Sequence, residues 1–148
     1  STTLNKFDNE HGFANSRARL RMTTLYQVAA ANKGIVVGTG NKVEDFGVGF
    51  YTKYGDGGVD ISPIADCNKT EVWELGKELG ILEEIINAAP TDGLWDDGRT
   101  DEGQLGLSYK ELEEAMNNEN SVNREKYNSI RNANLHKMEP IPVCKIPN

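Results

Sequence analysis

Apolar and polar positions change period several times along this chain, and each change marks an element. Leu20, Leu25, Val28 and Ala29 approximate one apolar face between Asn15 and Asn32. That spacing predicts a helix capped by Asn15 and terminated by Gly34. Ile35, Val36 and Val37 then form a β-branched run ending at Gly38-Thr39-Gly40, the pattern of a buried strand. A helix is expected from Lys42 to Phe50, and a short extended segment over Ile61-Ser62-Pro63-Ile64. Asn68 and Glu71 have capping-box spacing and open a helix with a buried stripe of Val72, Leu75 and Leu79, ended by Gly80. Ser108 and Glu111 form a second box before a helix to about Met116. A further helix, about Val122 to Asn134, turns Tyr127 and Ile130 inward. The tail from Met138, with three prolines, is expected to be extended.

The polar stretches between these elements carry the candidate chemistry. In an open α/β sheet, ligands sit at the carboxyl ends of strands, which directs attention to Gly38-Thr39-Gly40. Glu44 follows within a helical turn or two, and Lys53, Asp56 and Asp60 lie on a loop made pliable by Gly55, Gly57 and Gly58. One lysine and several carboxylates there suit a polar, charged ligand. Arg17, Arg19 and Arg21 alternate, so they are expected to fan around the first helix. Residues 90–106 hold four Gly, five acidic residues and Trp95, and read as a mobile, solvated loop. Lys69 falls in the first turn of its helix, where the dipole disfavours a cation, so another reason must keep it there.

Composition narrows the classes without choosing among them. The 148 residues suit a single domain, and 37% hydrophobic with 26% charged residues is ordinary globular material. A net charge of −7 argues against nucleic acid as a partner. Two cysteines, Cys67 and Cys144, provide no disulfide framework and read as free thiols in a reducing cytoplasm. No apolar run approaches the ~20 residues of a membrane span, and no signal peptide is evident. The chain opens Ser1-Thr2-Thr3, with no glycine-rich phosphate loop leading into a helix.

The run GTGNKVEDFGVGFYTKYGDGGVDISPIADCNKTEV resembles the second half of an NAD synthetase, most closely the short ammonia-using bacterial type. The resemblance starts at Asn15-Ser16-Arg17-Ala18-Arg19. It continues through Pro90-Thr91-Asp92-Gly93-Leu94-Trp95 and Thr100-Asp101-Glu102 to Leu135-His136-Lys137, and so covers roughly residues 11–145. It implies an α/β fold, the C-terminal part of a doubly wound parallel sheet of the adenine-nucleotide alpha hydrolase-like class. It also implies ATP contacts at Thr39, Lys69 and Thr91, and a Mg²⁺ carboxylate at Glu44. Deamido-NAD would be bound by Arg19, Lys53, Asp56, Asp60, His136 and Lys137, the last two reaching across a homodimer. One departure from the family pattern is an extra residue near Asp45-Phe46-Gly47. Another is the missing Ser-Gly-Gly-x-Asp-Ser phosphate loop, so the chain reads as the C-terminal portion of the domain.

The implied reaction is ATP-dependent amidation of deamido-NAD by ammonia through an adenylated intermediate, with no residue here acting as a covalent nucleophile. This portion alone is expected to be inactive. A rival from another class is a truncated, non-catalytic module that binds only dinucleotide or a partner subunit. A second enzymatic rival, a GMP synthetase-like ligase, is disfavoured by the His136-Lys137 ending and the Gly55-Asp56-Gly57-Gly58 loop.

Overall fold

The structure, a computed structural model, describes residues 6, 7 and 9–147. The opening Ser1-Thr2-Thr3 lies outside them. The described residues form α1 (Glu10–Ala31), a π-turn (Val43–Val48), α2 (Lys69–Glu78), α3 (Glu83–Ile86), α4 (Asp101–Leu105), α5 (Tyr109–Asn117) and α6 (Arg124–Met138).

Asn9, not Asn15, caps α1, accepting the Gly12 N–H at 2.7 Å. Asn15 lies inside the helix, and its side-chain oxygen accepts the Thr52 hydroxyl at 2.7 Å. At the other end the left-handed residue is Lys33, with φ 53°, rather than Gly34. The expected apolar face is not buried. Leu20, Leu25 and Val28 are exposed, while Ala14 and Ala18 are buried. The small alanines let Leu94 pack closely against the helix, with Trp95 beside it.

The β-branched run makes a single parallel bridge, Val37 to Ile61, among the described residues. Gly38 N–H donates to the Ile61 carbonyl at 2.7 Å and Asp60 N–H to that of Val36 at 2.9 Å. A Cβ at Gly38 would stand 2.9 Å from the Val59 side chain and 3.1 Å from the Ile61 carbonyl oxygen, so a larger residue at 38 would crowd the paired segment. Successive side chains of an extended segment point to opposite sides. Val36 is buried and Ile35 and Val37 are exposed, so the expected buried strand is covered on one side only.

The helix expected from Lys42 to Phe50 is shorter and more loosely wound. Gly49, at φ 65°, closes it by donating to the Glu44 carbonyl. A π-turn holds one more residue than an α-turn, and Asp45-Phe46-Gly47 lie within it. In α2 the expected stripe is not buried either. Leu75 and Leu79 face solvent, and Trp73 is the side chain that packs on the core.

The larger core joins Val43 and Val48 of the π-turn to Leu105, Leu107, Tyr109, Leu112, Ala115 and Tyr127, all buried. Ile130 packs at its edge, as its spacing implied. Ser108 opens α5 as expected, accepting the Glu111 N–H while the Glu111 carboxylate reaches back to Ser108. The 90–106 stretch is more ordered than its composition suggested, because Thr100 caps α4 and Leu94, Asp101 and Leu105 are buried. Helix α6 runs past Asn134 to include His136 and Lys137 in its last turn. No helix or strand follows Met138 among the described residues.

Candidate functional site

A cleft of about 450 Å³ opens at the end of the Ile35–Val37 segment. Its walls include Gly38 and Thr39, Glu44 of the π-turn, Asp56 of the glycine loop, Lys69, Thr91 and Asp101. The Asn41 side-chain oxygen accepts the N–H groups of Val43 and Glu44 at 3.0 and 3.1 Å, which fixes the start of the π-turn and aims Glu44 inward. Lys69, the first residue of α2, brings Nζ to 3.4 Å from Glu44 Oε1, with both side chains more than four-fifths covered. Tyr109, the first residue of α5, donates its hydroxyl to the same oxygen at 2.5 Å and stands 3.3 Å from Asp101 Oδ2.

Burial sets the electrostatics here. It pushes the Asp101 carboxyl up to about 6, with the Glu44 charge adding to the rise. Asp45, against the backbone of Gly40, is likewise raised to about 6 by burial and then by Glu44. The Tyr109 phenol is held far above its ordinary value, chiefly by burial and next by the Glu44 charge. A carboxyl whose pKa is higher folded than unfolded favours the fold when protonated, and that contribution disappears as pH rises through the folded value. Without added divalent cation, stability should therefore fall as pH rises from about 4 to about 6. Asp101, only 7% exposed, accounts for on the order of 2 kcal/mol of that loss. Urea melts of the wild type and Asp101→Asn across this range check it: the variant should show the shallower slope, and equal slopes would contradict the assignment.

Thr91 lines the cleft with its hydroxyl donating to the Arg99 carbonyl at 3.0 Å. The remaining expected residues are arranged differently. Arg19 Nε donates to the Lys53 carbonyl at 3.2 Å, and the Lys53 ammonium donates to the His136 carbonyl. Asp60 accepts the Val36 N–H at 2.8 Å and the Tyr26 hydroxyl at 3.2 Å. The Lys137 ammonium donates to the carbonyls of Gly49 and Tyr51 at 2.8 and 2.6 Å, and burial lowers its pKa. Lys137 faces a neighbouring cavity of about 310 Å³, which Asp56 also lines. Arg19, Lys53, Asp60 and His136 are not among the walls of the main cleft.

A family model described as NAD synthase matches residues 2–145. The chain belongs to the NAD synthase family. It is 53% identical over 100 residues to an NH(3)-dependent NAD(+) synthetase of Carboxydothermus hydrogenoformans, a match covering 68% of this chain and 40% of that relative. A protein of the same name from Methanosarcina acetivorans is 41% identical over 145 residues, covering 86% of this chain and 56% of the relative. The solved structure of NMN synthetase from Francisella tularensis superposes with a TM-score of 0.87 at 34% identity, covering 98% of this chain and 61% of the other. The chain thus spans about half the length of the curated family members it matches.

Within this family member, several residues at the cleft carry no obvious mark in the sequence. Arg17 donates to the Leu94 carbonyl at 2.6 Å, and Arg21 to those of Asp92 and Gly93 at 3.3 and 2.8 Å. These two arginines stand four residues apart and share a face of α1, so only Arg19 departs from them, contrary to the expected fan. They hold the 92–94 backbone against α1 and place Thr91 and Asp92 in the cleft wall. Asp101 and Tyr109 were hidden because each looks like the first residue after a helix cap. Both cysteines are free, as expected. Among the described residues no helix is long and apolar enough to cross a membrane. No group of three or more His, Cys, Asp or Glu residues is arranged to hold a metal among them either.

Two carboxylates are nonetheless a set that Mg²⁺ uses, because this ion completes its shell with waters and substrate phosphates. Asp101 Oδ1 is buried without a hydrogen-bond partner, and Glu44 lines the cleft beside it. Glu44 and Asp101 therefore fit the group.

Proposed function

We propose that this chain supplies the second half of the active site of an NAD synthetase, which amidates deamido-NAD to NAD at the expense of ATP. The observation that carries this reading is the convergence of Thr39, Glu44, Asp56, Lys69 and Thr91 on one cleft at the tip of the Ile35–Val37 segment. A nicotinate carboxylate oxygen bonds to the α-phosphorus of ATP as pyrophosphate departs with the electrons of the broken P–O bond. Ammonia then bonds to the acyl carbon, loses a proton, and AMP leaves. Positioning and charge neutralisation supply most of the catalysis in such a transfer.

Lys69 suits the developing charge of the pyrophosphate, since its ammonium stands at the N-terminus of α2, where the helix dipole also favours anions. Glu44 and Asp101 would hold Mg²⁺, which neutralises phosphate charge when bound. Thr39 and Thr91 suit polar contacts with ATP. Arg19, Lys53, Asp56, Asp60, His136 and Lys137 are assigned to the dinucleotide. His136 and Lys137 would act across a homodimer, and the carbonyl contacts of Lys137 would hold α6 in place for it. The same reading places the single parallel bridge in a doubly wound parallel sheet, and the protein in the cytoplasm with its ATP.

The likeness to an NMN synthetase supports a second reading, in which the nucleotide amidated is the mononucleotide. Intact protein given ATP, Mg²⁺ and ammonium with either deamido-NAD or the acid form of NMN separates the two. Deamido-NAD should yield NAD and AMP in equal amounts, while preference for the mononucleotide would overturn the first reading. In the same assay Glu44→Gln should raise the half-saturating Mg²⁺ concentration by about 10- to 100-fold. The KM for deamido-NAD should stay within about twofold. An unchanged Mg²⁺ dependence would make Glu44 a merely structural carboxylate.

A further inference from the structure

We propose that Tyr109 is a positioning residue that registers the two carboxylates of the cleft, Glu44 and Asp101, for a divalent cation. The inference rests on the NAD synthetase reading above. Tyr109 is fully buried, behind the cleft wall rather than in it. Its ring is held edge-to-face by Trp73, with centroids 6.1 Å apart, and lies 4.9 Å beneath the Lys69 ammonium. Its backbone is fixed as firmly, because Ser108 caps α5 and Tyr109 N–H donates to Glu102 Oε1 at 2.9 Å. The phenol oxygen is thus the end of a stiff arm rooted in the main core.

Glu44 has three polar neighbours, and two of them are distant. Lys69 Nζ and the Asn41 N–H each stand 3.4 Å from one of its oxygens, whereas the Tyr109 hydroxyl is at 2.5 Å. The phenol therefore determines where Oε1 sits and which way Oε2 turns. A hydroxyl carries one proton, and the shorter contact takes it. Asp101 Oδ2 is left 3.3 Å away, and Asp101 Oδ1 has no partner. The two carboxylates are held one hydroxyl apart, and Asp101 keeps one acceptor oxygen unmet. Partners that orient metal ligands in this way typically govern metal affinity or activity by 10- to 100-fold.

The test is Tyr109→Phe in the intact protein, which removes one oxygen and keeps the ring. Mn²⁺ binding in the presence of ATP, followed by the electron paramagnetic resonance signal of free Mn²⁺, should weaken about 10-fold or more. The half-saturating Mg²⁺ for turnover should rise in parallel while the KM for deamido-NAD stays within about twofold. Tyr109→Phe combined with Glu44→Gln should be no worse than Glu44→Gln alone, because residues acting through one another are not additive. Unchanged Mn²⁺ affinity, or an additive double variant, would overturn the proposal and leave Tyr109 a core residue. Should Tyr109→Phe not fold, wild-type protein with ¹³Cζ-labelled tyrosine decides the matter. The Tyr109 resonance, identified by its contact with Trp73, should move when Mg²⁺ and ATP are added, and a fixed resonance would overturn the proposal. Wild type that makes no NAD defeats the functional reading and the proposal with it. Wild type that makes NAD beside an indifferent Tyr109→Phe defeats the proposal alone.

Discussion

Lys69→Ala in the intact protein should slow adenylation about 100- to 1,000-fold, the usual loss on removing one electrostatic contact from a developing charge. Deamido-NAD affinity should barely change, because the proposed reading assigns this ammonium to ATP. Helix-dipole reasoning alone would make this substitution harmless to folding, or slightly helpful, since a lysine in a first turn opposes the dipole. The structure reverses that expectation. The Lys69 ammonium sits 3.4 Å from Glu44 with 18% of its side chain exposed. Its loss leaves a largely covered carboxylate with less compensation, so a cost of about 1–2 kcal/mol is expected. Single-turnover adenylation, a deamido-NAD titration and a denaturation curve measure the three effects. A normal adenylation rate with a large stability loss would show Lys69 to be structural and remove it from the phosphate site.

Leu112→Ala carries the largest expected effect on folding. Leu112 is fully buried where α5 meets the π-turn and α6. Truncating such a leucine removes its transfer free energy and leaves a cavity, costing about 2–5 kcal/mol. That is a large share of the 5–15 kcal/mol that typically stabilises a domain. Leu82→Ala is the matched control, since Leu82 is 65% exposed, and surface changes of this kind usually stay within about 0.5 kcal/mol. Urea melts followed by the fluorescence of Trp73, which packs on the same core, compare the two. A Leu112→Ala cost below about 1 kcal/mol would mean that the π-turn and the C-terminal helices do not share one core. The Glu44 carboxylate would then lose the wall behind it.

Local rules account for the parts that were legible beforehand. The Ser108 box, the Gly80 stop and the inward side of Tyr127 all depend on neighbours a few residues apart. The convergence of Thr39, Glu44, Asp56, Lys69 and Thr91 was legible only through the long family resemblance. No spacing rule places residues from a strand tip, a π-turn and three other segments around one cleft.

The failures have physical causes of their own. Leu20, Leu25 and Val28 of α1, and Leu75 and Leu79 of α2, are spaced as buried stripes, yet all are exposed here. Periodicity states which residues share a face, not whether another element covers it. The alternation of Arg17 and Arg21 with Arg19 concealed a four-residue pair that grips the 92–94 backbone.

The start of α5 at Ser108 and family membership were thus written in residue types and short spacings, whereas the start of α1 at Asn9 was not. Nor was the pairing of Tyr109 with Glu44 and Asp101, because these contacts span 65 and 8 residues and depend on how α5 packs on the π-turn. Side-chain hydrogen bonds at such range exist only once the core has brought the helix starts together, so they belong to the tertiary structure.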